Sequence, residues 1–396
     1  MKTLRFSKKV VASVVNDVPP GAMNTFSAVG DINHDGYPDI VISGRNGRMV
    51  WLENKGEHEP WVEHFIDTVD KQECGGSLID LTGNGYLDVI NGGDSRSTEI
   101  CWWENPGQAD QPWLKHVIAV TEGTQFHDTL IADIFNTGKP VLVFTNQHAP
   151  NGTTVYAVPF PADPKVSPWG GLQKIAAGLH EVNSYRKEGI QPEEGLAAGD
   201  IDGDGKIELV CGTHWFKHNT SQQWEGHKFA SGYLTTKIAI GDLDGDGKNE
   251  IILAEGDPCV YGKTQGGKLA WFKPQEDLYG LWEEHVLMDH LMDAHSLKLA
   301  DFTGSGRLDI LVGEVGMADK TTDRYVQPLP RLMIFENLGG GNFNPHIIDE
   351  GTGIHDADLA DFRKIGVLDI AGKPLHDAEK WNVHVWFNQT STGQTG

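Results

Sequence analysis

The feature that most constrains the fold of this chain is a segment that recurs seven times. FSAVGDINHDGYPDIVISG, GSLIDLTGNGYLDVINGG, TLIADIFNTGKPVLVFTN and LAAGDIDGDGKIELVCG share one pattern with IAIGDLDGDGKNEIILAEG, LKLADFTGSGRLDILVGE and ADLADFRKIGVLDIAG. Each is an alternating apolar run that ends in Asp, a glycine-containing turn, and a second apolar run. Alternation with period two is the signature of a strand, so each segment predicts a tight hairpin. Downstream lies a third run with an aromatic residue (MVWLENKG, ICWWENPG, KLAWFKP, LMIFENLG, VHVWFNQ). A fourth often follows as W-x-x-H-x-I, in WVEHFI, WLKHVI and, with Leu last, WEEHVL. Four short strands per repeat make a propeller blade. The repeat count therefore predicts an all-β, seven-bladed β-propeller with four-stranded blades, one domain over residues 1–396.

Ring closure offers a check that does not depend on the count. The seventh repeat stops after its third strand, VHVWFNQ, whereas RFSKKVVASV precedes the first repeat as WVEHFIDTV precedes the second. Residues 1–15 are thus expected to complete blade seven and remove an exposed edge. Read instead as a leader, the apolar run VVASVV is shorter than the roughly 7–15 residues of a secretory h-region. The compartment is left open on this basis: exported or periplasmic if a leader has been lost, otherwise cytoplasmic. No run approaches the ~18 apolar residues of a membrane span.

With 56 Asp+Glu against 32 Lys+Arg, the net charge is −24, which repels phosphates and argues against a nucleic-acid partner. The four cysteines (Cys74, Cys101, Cys211, Cys259) form no CxxC pair and are expected as buried thiols. Part of the acidity is concentrated in the D-x-D-x-D-G loops. A hard cation such as Ca²⁺ takes six to eight oxygens, and a tight turn presents several from alternate residues. The expected ligands are Asp31, Asn33, Asp35 and Asp39 in blade one, Asp200, Asp202, Asp204 and Glu208 in blade four, and Asp242, Asp244, Asp246 and Glu250 in blade five. Blades two and six keep Thr82 and Asn84, or Thr303 and Ser305, and blades three and seven have lost the set. An EF-hand needs flanking helices, and strands flank these loops. The uneven retention suits structural rather than catalytic calcium.

The D-x-D-x-D-G-x-x-[DE] loops and the W-x-E-N-P-G strand resemble the FG-GAP/VCBS repeats of integrin α-subunit propellers and of many microbial carbohydrate-active proteins. The resemblance covers nearly all of the chain and implies the fold. It leaves the activity open, because propellers host many.

If the acidic loops mark one face of the disc, the starts of the inner strands mark the other. Six residues before each anchoring Asp stand Thr25, Cys74, His127, Glu194, Thr236, His295 and His355. Three histidines and a glutamate at one register around an axis are a poor fit to packing alone. His295 and His355, in neighbouring blades, are expected side by side, with His127 across the channel. Loops after the second strands should feed the same face with Arg45, Asp94, Arg96, His148, His214, Trp215, Glu255, Asp257, Glu314 and Lys373. Tyr233 is expected to point there, and inserts at 180–194 and 317–330 to rim it with Tyr185, Arg186, Arg324 and Tyr325. Imidazoles with pKa near ~6.5 suit proton abstraction and donation. Histidines with Glu could instead hold Zn²⁺, Mn²⁺ or Mg²⁺. No G-x-S-x-G elbow, P-loop or dinucleotide fingerprint is present.

W-L-E-N-K-G, W-W-E-N-P-G and F-H-D-T-L-I-A-D-I-F are similar to the propeller of the fungal aldos-2-ulose dehydratase/isomerase family. That resemblance implies elimination of water from an anhydro- or keto-sugar and places His127 in the family's pocket. The cupin domains that follow there have no counterpart here, so isomerase activity is not implied. Propeller polysaccharide lyases, in which His and Tyr perform β-elimination on uronates, are a looser likeness. The expectation is a carbon–oxygen lyase acting on a sugar. His127 or the His295/His355 pair would be the base, Arg45 or a metal would stabilise the enolate, and Tyr233 or a second histidine would be the acid. Glu194, His214, Trp215, Asp94, Arg96, His148, Glu314 and Lys373 would bind substrate. The competing class is a non-catalytic glycan-binding or adhesion propeller, with shallow sites repeated from blade to blade. The oligomeric state is not legible.

Overall fold

The computed structural model describes residues 4–108, 111–185, 189–219 and 223–390. Seven antiparallel sheets form a ring, and their inner strands are Asn24–Gly30, Gln72–Ile79, Thr129–Ala132, Leu196–Gly199, Lys237–Gly241, Ala294–Ala300 and His355–Ala360. Each inner strand packs beside the next, and the last beside the first, which closes a seven-bladed β-propeller. Blade one shows the common order from axis to rim: Asn24–Gly30, Asp39–Gly44, Gly47–Glu53, Val62–Val69. Blade seven takes its outer strand from the other end of the chain: Phe6–Ser13 pairs antiparallel with Asn382–Asn388, from Phe6 opposite Asn388 to Ser13 opposite Asn382. No helix among the described residues is long and apolar enough to cross a membrane.

The turn after each inner strand has one construction in all seven blades. The anchoring Asp accepts the backbone N–H of the glycine five residues on, at 2.5–3.0 Å, in Asp31–Gly36, Asp80–Gly85, Asp133–Gly138, Asp200–Gly205, Asp242–Gly247, Asp301–Gly306 and Asp361–Gly366. Those glycines hold φ between +75° and +88°, a region that a Cβ disfavours. The Asp and Gly survive in blades three and seven because they build the turn, whatever else the loop does.

The acid at the ninth loop position also serves the backbone. Asp39 accepts the N–H groups of Ile32 (3.0 Å) and Asn54 (2.9 Å), and Asp88 those of Leu81 (2.8 Å) and Asn105 (2.7 Å). The Asn of the E-N-P-G strand then crosses to the preceding blade. Asn54 Nδ2 donates to Phe362 O at 2.9 Å, Asn105 Nδ2 to Ile32 O at 3.0 Å, and Asn337 Nδ2 to Leu243 O at 2.8 Å. This motif is a clamp between blades. The W-x-x-H motif is internal too: Trp51 stacks on His64 (centroids 4.1 Å), Trp102 on His116 (4.5 Å) and Trp271 on His285 (3.9 Å).

The core consists of apolar layers between adjacent blades, with Trp102, Trp103, Trp215, Trp386, Phe126 and Phe144 among the fully buried side chains. Each buried large apolar side chain stabilises the fold by about 1.5–3 kcal/mol. Blade three departs from the pattern. Its outer strand Gln173–Asn183 pairs with a fifth strand, Gly189–Pro192, so much of the 180–194 insert adds to the blade edge rather than rimming the axis.

Candidate active site

All seven residues of the predicted ring, Thr25, Cys74, His127, Glu194, Thr236, His295 and His355, are buried at the leading ends of the inner strands. The three histidines form a contiguous chain. The rings of His295 and His355 meet edge to face at 5.0 Å, and His127 lies 6.2 Å from His295. Local irregularity lies beside two of them, His295 and His355. In blades one, two, six and seven the pairing slips at this end, between Asn24 and Phe26, Gln72 and Gly76, Ala294 and Ser296, and His355 and Asp358. Bulges of this kind re-aim side chains, so chain neighbours such as His295 and Ser296 both reach the axial cavity.

That cavity encloses about 450 Å³ and is lined by the inner strands of all seven blades. Sequence reasoning missed much of its charge. One residue beyond the histidine register stand Asp128, Lys237 and Asp356, and two further on stand Lys298 and Asp358, all in its wall. A signal was present: His-Asp occurs at 127–128 and again at 355–356, and Lys237 holds the matching position in blade five.

Carboxylates surround the imidazoles. His295 Nε2 lies 3.0 Å from Asp257 Oδ1 as a close ion-pair contact, and neither buried ring nitrogen has a partner in hydrogen-bond geometry. His127 Nδ1 is 3.5 Å from Glu194 Oε2 and 3.6 Å from Asp128 Oδ2. Lys237 Nζ sits 3.7 Å from Asp128 Oδ1. Burial opposes charge on His295, but Asp257 outweighs it and the pKa stands above the ordinary imidazole value. His127 is burdened by burial likewise, yet Cys74 and Glu194 hold it well above that value. Against the opposing effect of burial, His295 holds Asp257 down to about 2. Lys237 keeps its proton because Asp128 overcomes burial. His355 is different: burial pushes it down to about 3, with Asp356 3.0 Å from Nδ1.

Other predicted site residues lie elsewhere. Tyr233 is buried among Phe229, Phe272 and Trp215, and its O–H donates to Glu284 at 2.6 Å. Trp215 is fully buried against His227 and presents no face to the cavity. Arg45 pairs with Glu73 at 2.6 Å, while Asp94 is held by Arg96 (2.9 Å), a cluster outside the cavity wall. Glu314 is locked by Arg331 at 2.6 Å, and Glu255 by Lys263 at 2.6 Å. His214 lies 3.2 Å from Glu193, and His148 is exposed with its backbone paired to Thr124. Lys373 touches the site from behind: it donates to Asn24 O at 2.7 Å and lies 3.4 Å from His355 Nδ1. Arg324 pairs with Asp377, Tyr325 donates to Thr352 O at 3.1 Å, and Tyr185 is exposed. Arg186 lies outside the described residues.

Two kinds of metal set were expected. On the axis, donor atoms of Glu194, Asp257 and His295 come within 4.8 Å of one another. Donor atoms of Cys74, His355 and Asp356 converge likewise, and the Lys237 ammonium, 3.7 Å from Asp128, also acts on Glu194 and Asp257. In the loops, Asp200, Asp202 and Glu208 converge, as do Asp242, Asp244 and Asp246. Lys217 bonds Asp202 and, at 2.7 Å, Asp204; Lys273 bonds Asp244 and, at 2.8 Å, Asp246. Glu208 and Glu250 are buried, and each accepts a backbone N–H, from Ile201 and Leu243. In blade one, Asn33 donates to Asp35 at 3.2 Å, and Asp39 is committed to the hairpin.

Comparison with known proteins gives the same repeat and fold. A family model described as FG-GAP-like repeat matches residues 31–90 and 200–253. A solved structure of BBS1N in complex with ARL6DN aligns with a TM-score of 0.55 at 8% identity, covering 100% of this chain and 98% of that one. A rhamnogalacturonan lyase of Bacillus licheniformis aligns with a TM-score of 0.49 at 12% identity, covering 97% and 75%. The rhamnogalacturonan lyase YesW aligns at 0.48 and 13%, covering 96% and 75%. The likeness to the BBS1N structure, at 8% identity, extends to the fold alone. No curated protein matches the chain.

Proposed function

We propose that this seven-bladed propeller with FG-GAP-like repeats is a carbon–oxygen lyase that eliminates water or an alcohol from a sugar in its axial cavity. The observation that carries the reading is the Asp257–His295 dyad, at 3.0 Å, with His127 6.2 Å across the cavity from it. A carboxylate that holds one imidazole nitrogen leaves the other as a base, which is how acid–base dyads are assembled. His295 Nδ1 takes the proton from the carbon α to a carbonyl or carboxyl group. The C–H electron pair becomes the new C=C bond as the β C–O bond breaks. The departing oxygen receives the His127 proton. Electrons and protons balance without an oxidant or metal. Lys237 faces the same space and offsets the negative charge that develops on the enolate oxygen.

Neighbouring acids hold both His295 and His127 above the ordinary imidazole value, so either ring can carry the proton the step needs. A wall rich in charged and hydroxyl groups suits a polyol. The asymmetry of the axial ring argues against a multivalent glycan-binding propeller. The tryptophans repeated from blade to blade are stacked inside the blades and offer no repeated sugar platform.

The test is a panel of keto-, anhydro- and uronate sugars followed by absorbance in the enone and unsaturated-uronate bands. Product from the native protein, lost in both His127→Ala and His295→Ala, supports the proposal. Binding without any absorbance change in the native protein favours the glycan-binding class instead.

A further inference from the structure

We infer that ligand reaches the histidines through the acidic-loop end of the channel, past a neck formed by Lys298 and Asp358; the inference takes the axial cavity as the working site. Exposure rises steadily along the inner strands in that direction. At the histidine register the side chains of His127, Glu194, His295 and His355 are 8%, 1%, 9% and 4% exposed. One residue on, Asp128, Lys237 and Asp356 reach 12%, 13% and 19%. Two residues further, Lys298 and Asp358 reach 41% and 27%. The cavity wall continues the same way through Val29, Leu78 and Ile131.

The opposite end is tied down. Lys373 bonds Asn24 O across blades seven and one (2.7 Å), Gly75 N–H donates to Phe126 O across blades two and three (3.1 Å), and Ile354 N–H donates to Glu314 O (2.7 Å). Asp257, 18% exposed on that side, marks the competing approach.

The neck pair is close, with Lys298 Nζ 2.8 Å from Asp358 Oδ1. Two opposite charges held together project little net field. They leave a passage that discriminates by size and hydrogen bonding rather than by the charge of the ligand. The anchoring aspartates beyond it have their oxygens engaged by their own turns. The neck is therefore the ion pair that a ligand meets before the hydroxyls of Ser27 and Thr129 and then Lys237.

Cys74 reports the route without any turnover, because it is the cysteine in the cavity wall while Cys101, Cys211 and Cys259 are buried elsewhere. Burial pushes the pKa of the Cys74 thiol up to about 11, and the group reacts through its thiolate. In the full chain, methyl methanethiosulfonate converts it to a methyl disulfide with loss of methanesulfinate and a proton, and peptide mass spectrometry at one fixed alkaline pH gives the rate. Ser77→Trp, which adds bulk at the neck register, should slow that rate by about tenfold or more through lost access. His148→Trp, on the opposite face, should leave it unchanged. Lys298→Ala should speed it, and this smaller side chain keeps the test open if Ser77→Trp does not fold. Slowing by His148→Trp but not by Ser77→Trp overturns the route, and so do equal rates in all variants. The labelling needs no elimination, so failure of the route and failure of the lyase reading appear in separate experiments.

Discussion

The two ends of the inner strands follow opposite rules. At the acidic-loop end, seven blades solve one problem in one way: an Asp carboxylate receives the N–H of a left-handed glycine and closes the turn. At the other end, seven structurally equivalent positions hold two threonines, a cysteine, a glutamate and three histidines. Repetition is what backbone geometry demands of every blade alike. Broken repetition means that each residue answers to its own surroundings, and here those surroundings are one another. The conspicuous motif in the sequence thus builds the turns, and the titratable groups collect where the motif falls silent.

That contrast can be broken most directly at the histidine end. His127→Gln or His295→Gln should lower kcat by about 10²–10⁴ with little change in melting temperature. A large loss of stability with unchanged kcat would make the histidines packing residues after all.

The pH profile sharpens the assignment. Activity should rise with pH as His295 loses its proton, and fall at higher pH as His127 loses its own. Asp257 raises the His295 pKa, so Asp257→Asn lowers it and should move the acidic limb to lower pH. An acidic limb that stays in place excludes His295 as the base.

At the loop end the effects should fall on stability alone. Asn105→Ala removes the clamp from blade two to Ile32 and leaves buried acceptors unmet, costing about 1–3 kcal/mol; chemical denaturation checks it, and kcat should hold. The smallest effect concerns calcium. Because Lys217 and Lys273 already bind the loop carboxylates, calcium or a chelator should shift the melting temperature only slightly. Lys217→Met with Lys273→Met should enlarge that shift. A large calcium effect in the native protein would show that the cation displaces both lysines. Metal analysis of the same preparation checks the axis as well: calcium alone confines metals to the loops, whereas zinc or manganese places one among the histidines.

Much of the architecture was legible because a propeller blade repeats its local demands in local sequence. Asp and Gly set each turn, alternation set each strand, and RFSKKVVASV matched the missing strand of blade seven. The histidine register could be reached by counting residues back from those turns. What counting could not reach was orientation. In blade seven a bulge between His355 and Asp358 brings Asp356 to the axis, and Asp128 and Lys237 line the same cavity from blades three and five, a convergence that strict alternation from the histidine register did not reveal. Tyr233 and Trp215 failed as candidates for a related reason. They sit at the right place along the chain, but the gap between blades four and five needed filling, and burial of large apolar surface claimed them. Sequence by itself determined the blade, the count and the closure, because each depends on neighbours in the chain. Only the tertiary structure decided which charges share the axis, because that depends on seven distant strands meeting in one low-dielectric space, where each charge is set by the others.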